Sequence, residues 1–211
     1  LSSISSMNRS LRTSLEMDAL LETVYLQVAN LLQVKNLHIV LIKEVGERAE
    51  STLRYAVEQG RRAHHTAPFH PDDLANWVIK ERVPLLANPI RETAQRLGLR
   101  HTPRGRAWMG APLMASNRTL GCMYTWLDKD ERPDQTFGES DLEMFTTVAM
   151  QAAIAVQNAL LYEQDQKHAS QLARLNKIST MMNASLNPER VLELIAASAT
   201  EVAGCDKAAI Y

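Results

Sequence analysis

The sequence repeats itself. When residues 1–40 are laid over residues 172–211 without gaps, Leu1, Ile4, Met7 and Leu11 meet Leu172, Leu175, Ile178 and Met182. In the same register Ser14-Leu15 meets Ser185-Leu186, Leu21-Glu22 meets Leu192-Glu193, Val24 meets Ile195 and Ile39 meets Ile210. A shared apolar stripe with identities inside it marks a duplicated unit, and a repeat constrains a fold more than any single motif. It predicts the end of a linker helix over 1–12, one full unit over 13–160, a coiled-coil linker helix over 161–183 and the truncated start of a second unit over 184–211. The second copy holds one helix and the first residues of a strand, too little to complete the core of the first. A parent protein with tandem copies is expected, and the lack of an initiator Met agrees with that.

Composition narrows the class. The 211 residues carry a net charge of −1, with 45% hydrophobic and 22% charged residues, the proportions of an ordinary globular chain. No basic excess points to nucleic acid and no acidic run to a basic partner. Uninterrupted apolar stretches such as Val83–Ala87 fall far short of the roughly 18–20 residues that cross a bilayer, so no membrane partner is expected. No charged n-region precedes an apolar h-region at the N-terminus, so no signal peptide is read there. Cys122 and Cys205 cannot make a disulfide framework, which together with this places the chain in the cytoplasm.

Periodicity then places the elements. Met17–Leu32 predicts an amphipathic helix with Leu20, Leu21, Val24, Val28, Leu31 and Leu32 on one face. Leu37–Ile42, apolar except for His38, predicts a buried strand that Thr52–Val57 returns beside after a turn at Gly46. Residues 60–71, with Pro68 and Pro71, read as a loop. Asp72 or Asp73 can cap a helix to Arg82 carrying Leu74, Trp77 and Val78. A short strand over Leu85–Ala87 and a short helix over Glu92–Leu97, stopped by Gly98, follow. Trp108–Ala115 and Leu120–Leu127 predict a hairpin around Ser116-Asn117-Arg118-Thr119. Ser140 and Glu143 suggest a capping box on a helix with neither Pro nor Gly from Glu139 until Pro188.

These residues resemble a GAF domain. Trp108-Met109-Gly110-Ala111-Pro112-Leu113, the turn, and Leu120-Gly121-Cys122-Met123 are similar to the family's penultimate strand, turn and glycine-bearing last strand. Phe137, Asp141 and Leu142 match its Phe-x3-Asp-Leu entry to the terminal helix, and Ala152–Ala159 its alanine-rich helix. The resemblance covers about 13–162 and implies an α+β fold: a GAF/PAS-like antiparallel sheet of five or six strands flanked by helices, with a long C-terminal signalling helix. It also implies a regulatory, non-catalytic role, a small ligand held between the sheet and the variable middle segment, and dimerisation through terminal helices.

Residues 88–107 hold Arg91, Arg96, Arg100, Arg104 and Arg106 against Glu92, a net of +4, with His101 among them. Guanidiniums clustered over a pocket favour a phosphate or carboxylate through bidentate hydrogen bonds, whereas a solvated charged loop needs no ligand. Arg91, Arg96, His101, Arg104, Arg106 and Trp108 are therefore the candidate ligand residues. Leu142 stands where the family's cyclic-nucleotide signature has Glu. Cys122 has no adjacent His for a bilin, and a single Cys in the unit lacks the resolving thiol that methionine sulfoxide reduction needs. The cluster His64, His65 and His70 has nothing in the sequence to converge it on a metal, so no metal and no identified cofactor are expected beyond an unknown small molecule.

Leu161, Leu172, Leu175, Ile178 and Met182 stripe the linker helix, with Gln164 and His168 as polar interruptions. They are the candidate seam of a homodimer. The expected function is that of a sensory module of a cytoplasmic multidomain regulator, a sensor histidine kinase first and a nucleotide cyclase or transcription activator next. It would bind a small ligand and relay the signal through the dimeric helix. The alternative is a ligand-free scaffold that dimerises and spaces its neighbours.

Overall fold

The computed structural model describes residues 2–45, 48–63, 73–99, 105–128, 135–184, 192 and 195–198. Its elements run α1 (Ser2–Leu32), β1 (Leu37–Val45), β2 (Arg48–Glu58), β3 (Arg61–Arg62), α2 (Asp73–Glu81), β4 (Leu85–Ala87), α3 (Ile90–Arg96), β5 (Ala107–Ala115), β6 (Arg118–Leu127) and α4 (Glu139–Ala184). The chain divides into two units, Leu1–Ala159 and Leu160–Tyr211. The first contains the sheet; in the second, the described residues are the rest of α4 together with helical Leu192 and residues 195–198.

Strand alternation decides the architecture of the first unit. Successive side chains point to opposite faces, so a strand apolar at both parities must be covered on both. In β1, Leu37, Ile39 and Leu41 enter one core while Val40 enters another. In β5, Ala107, Met109, Ala111 and Leu113 take the first side and Trp108 the second; in β6, Met123 and Leu127 oppose Cys122 and Tyr124. The resulting sheet is antiparallel throughout, with order β3-β2-β1-β6-β5-β4.

The first face is covered by α1 and α4. Met17, Leu21, Val24, Val28 and Leu32 of α1 are buried at the helical period, as are Phe145, Val148, Ala149, Ala152, Ala153 and Val156 of α4. Leu31, expected on the buried stripe, is 51% exposed, and Met17 completes the stripe instead. The second face is covered by α2 and α3, through Leu74, Ala75, Val78 and Ile90. Trp77 is only partly buried there.

Several local details differ from expectation. The segment over 60–71, read as a loop, begins with β3, whose two residues pair with Val57 and Glu58. The hairpin turn is shorter than four residues: Ala115 already pairs with Arg118, leaving Ser116 and Asn117 as the turn. Both have positive φ, 48° and 62°, the mirror-image turn that matches strand twist. At the start of α4 the Asp141 carboxylate, rather than the pair Ser140 and Glu143, accepts from the Gly138 N–H at 2.8 Å. Pro112 sits in β5 without disrupting the sheet, because β4 reaches only residues 108–110.

Judged by length and composition alone, α4 over Glu139–Thr180 is long and apolar enough to cross a membrane, although its apolar residues are interrupted by polar ones. Part of that apolarity belongs to the sheet's core, where Phe145 through Val156 supply the buried face.

Candidate functional site beneath α2 and α3

The second face concentrates the aromatic and polar side chains. Trp108 on β5 and Tyr124 on β6 stack with ring centroids 5.5 Å apart and planes 27° apart. Trp126 follows at 6.1 Å from Tyr124, and the His38 ring stands edge-on to both, 5.3 Å from Tyr124 and 4.8 Å from Trp126. Strand register brings them together: His38 is opposite Tyr124, and Trp108 opposite Trp126. Gly110 makes room for the indole. A Cβ there would come within 2.4 Å of the Trp108 ring, so the ring lies back along its own strand only above a glycine.

His38 is the buried polar centre of the group. Its Nε2 is 3.0 Å from Glu58 Oε1 and its Nδ1 2.9 Å from the Tyr124 hydroxyl. A carboxylate only accepts, so Nε2–H donates to Glu58, and in the neutral ring Nδ1 accepts from the Tyr124 O–H. This chain of bonds fixes the tautomer and reaches from the partly exposed Glu58 into the interior.

Asn36, 1% exposed, closes the same end of the sheet. Its side-chain N–H2 donates to Trp126 O and Asp128 Oδ2, both at 3.2 Å, and its Oδ1 accepts from the Gln59 N–H at 2.8 Å. The Thr125 hydroxyl donates to Asn36 O at 2.5 Å. One donor is left over. Trp108 is fully buried, and its Nε1 has no hydrogen-bond partner among the described residues.

The residues expected to bind a ligand are distributed unevenly. Trp108 lies in the interior. Arg91 and Arg96 lie on the exposed side of α3, because Ile90, Thr93 and Ala94 take its buried side. Arg106 is half-buried just before β5, its N–H donating to Leu127 O at 3.0 Å. Arg100, His101 and Arg104 lie outside the described residues, as do His64, His65 and His70. Of the seam residues, Leu161, Leu172 and Leu175 are exposed on α4 and Ile178 is half-buried; the side chain of Met182 is outside the described set. Among the described residues, no three His, Cys, Asp or Glu side chains form a metal-ligand group.

Reading the sequence did not single out His38, Glu58, Tyr124, Trp126 or Asn36 as a group. The one signal was His38 itself, a lone polar residue inside an apolar strand.

A six-stranded antiparallel sheet with α1 and α4 on one face and a short-helix layer over an aromatic floor on the other defines an α+β domain covered on both sheet faces. The sequence profile described as "GAF domain" matches residues 14–157, and this chain belongs to that family. GAF domains are regulatory, non-catalytic domains. Solved structures share the fold at low identity. A methyl-accepting chemotaxis protein (its residues 122–287) is 15% identical, with 69% of this chain and 92% of that one covered and a TM-score of 0.51. The blue-light-absorbing form of the PixJ GAF domain from Thermosynechococcus elongatus is 18% identical, covering 76% and 95%, with a TM-score of 0.51. The photoproduct state of GAF3 from Slr1393 of Synechocystis is 13% identical, covering 71% and 99%, with a TM-score of 0.50.

Proposed function

We propose that this chain is the sensory module of a cytoplasmic multidomain signal-transduction protein, with a histidine kinase as the output, and that it binds a small molecule on the face beneath α2 and α3. It relays occupancy through a homodimeric α4. The observation that carries the reading is the Trp108 indole N–H, buried and without a partner beside the bonded set His38, Glu58 and Tyr124. A desolvated, unpaired donor costs about 1–3 kcal/mol, and an acceptor on a ligand recovers it. The π faces of the aromatic floor favour a flat ligand with an acceptor at its edge.

A ligand shifts a signalling equilibrium only through different affinities for two states. Here β4 and α3 are the short elements that differential binding would displace, since β4 pairs with three residues only. The second reading is a scaffold without a ligand. It is favoured by the packing of the Trp108 ring against Gly110, which fills the floor with the chain's own side chain.

Native mass spectrometry of the purified chain, compared with its denatured mass, separates the two readings. The sensor predicts a non-covalent adduct that Trp108→Phe weakens while far-UV circular dichroism stays unchanged. A bare chain that stays bare in lysate of its native host establishes the scaffold.

A further inference from the structure

A second polar cleft opens at the β3–β2 edge, away from the aromatic floor. Its volume is about 200 Å³ and its polar walls are Asp18 of α1, Arg54 of β2 and Arg62 of β3. The chain builds it with a bulge. Ile39 pairs with Tyr55 and Val40 with Leu53, so Arg54 is the extra residue of β2 and is re-aimed out of the ladder. Arg54 Nη1 comes to 3.0 Å from Asp18 Oδ1, and Arg62 Nη2 to 3.8 Å from the same oxygen. The Arg62 guanidinium lies 3.5 Å over the Tyr55 ring, a cation–π contact that holds its plane fixed. The Tyr55 hydroxyl donates to Glu22 and so anchors the ring from behind.

Two buried atoms in this cleft make no hydrogen bond among the described residues: Arg62 Nη1, and Asp18 Oδ1, which stands within ion-pair distance of both guanidiniums but accepts from neither. One is a cationic donor and the other an anionic acceptor. A simple anion meets the Arg62 fork and leaves the Asp18 oxygen without a hydrogen bond, and a simple cation meets Asp18 against the two guanidiniums of Arg54 and Arg62. A molecule with a carboxylate and an ammonium group a few bonds apart satisfies both. The remaining wall is apolar, from Leu53, Ala56 and Ala63. The volume is below the roughly 300–1,000 Å³ of sites for drug-sized ligands.

We propose that this cleft binds a free α-amino acid with a small apolar side chain, its carboxylate on the fixed Arg62 fork and its ammonium on Asp18. Planar guanidinium and carboxylate match in bidentate geometry, which a lysine would not reproduce. The site is independent of the aromatic floor, so the two stand or fall separately.

Amide chemical-shift titrations of the whole chain with L-alanine and L-valine test it, with acetate and methylammonium as single-charge controls. The proposal expects saturable shifts at residues 18, 54–56 and 62–63 for the amino acids and weaker binding of either control. Asp18→Asn and Arg62→Lys are each expected to weaken binding about ten-fold or more. The lysine variant keeps the charge and the ring contact, so its loss isolates the fork; Ala63→Leu, filling the apolar wall, abolishes binding without touching either charge. Acetate binding as well as alanine, with affinity rising in Asp18→Asn, overturns the zwitterion in favour of a plain anion. No saturable shift at millimolar amino acid overturns the site and leaves the cluster as an ion-paired brace between α1 and the sheet.

Discussion

Single residues set hard limits here because backbone and burial leave them no alternative. A Cβ on Gly121 would lie 1.9 Å from the carbonyl oxygen of Val40 on the neighbouring strand, so β1 and β6 approach each other only across a glycine. Gly121→Ala is expected to cost about 2–3 kcal/mol, read from urea unfolding, because the obstructing atom is backbone and cannot rotate away. A loss under a few tenths would show that the strands can separate at no cost. Tyr55 has a different limit. Burial first, and then its bond to the Glu22 carboxylate, raise its phenol well above the ordinary value of 10.0. The folded state therefore holds this proton after the unfolded chain has released its own. The stabilisation is complete below pH 10.0 and is lost as pH rises from there toward the folded value. Tyr25, shifted the same way by burial and by Glu22, adds to the effect. Tyr55→Phe should lower stability at neutral pH and flatten its decline in alkali, followed by thermal melts across an alkaline pH series. A decline as steep in the variant as in the parent chain would assign the alkaline loss to other groups.

At the scale of elements, the hairpin between β5 and β6 carries a removable strain. Ser116 and Asn117 occupy left-handed backbone, which Ser in particular disfavours. Replacing the pair by Asn-Gly, the residues this turn prefers, is expected to raise stability by about 1 kcal/mol, measured by thermal melting. An unchanged or lower melting point would mean that contacts of Ser116, such as its hydroxyl bond with Gln157, matter more than the turn. The turn's existence was legible in the polar run between two apolar strands, but its length was not, since only the pairing of Ala115 with Arg118 reveals that Arg118 already belongs to β6. The same division holds elsewhere. The apolar run Leu37–Ile42 announced a buried strand, apolar period announced α1 and α2, and the lack of Pro and Gly after Glu139 announced α4. The partners of His38 were illegible because Glu58 lies 20 residues away and Tyr124 86, joined only by register. The arginines stood out by charge alone, which carries no information on direction. In a helix as short as α3, with Ile90, Thr93 and Ala94 turned inward, Arg91 and Arg96 have no direction left but outward.

At the scale of the whole molecule, α4 carries more apolar surface than one sheet can use. Outside its buried face, Met150, Ile154, Leu161 and Leu175 are each more than half exposed. With Gln157, Gln164, His168, Gln171, Ile178 and Met182 they alternate in steps of three and four residues, the 3.5-residue period of two helices wound together and not the 3.6 of a helix lying on a sheet. The proposed homodimer gives this stripe its partner. The polar layers at Gln157, Gln164, His168 and Gln171 weaken the seam but pair best with their own copies in register, the condition for a relay that must shift without dissociating. Leu172, a candidate seam residue by its spacing from Leu175, falls one position off this stripe and in this register flanks the proposed seam. The register therefore makes a sharp distinction between similar leucines. Replacing Leu161 and Leu175 together by Asp removes from each chain two leucines that the proposed dimer would bury at about 1.5–3 kcal/mol apiece, and should raise the dimer dissociation constant at least roughly a hundred-fold in sedimentation equilibrium. Leu172→Asp, on an equally exposed side chain, should change it far less. Equal weakening by all three substitutions would point to an unspecific apolar association, and a dimer indifferent to them would move the interface off α4 altogether.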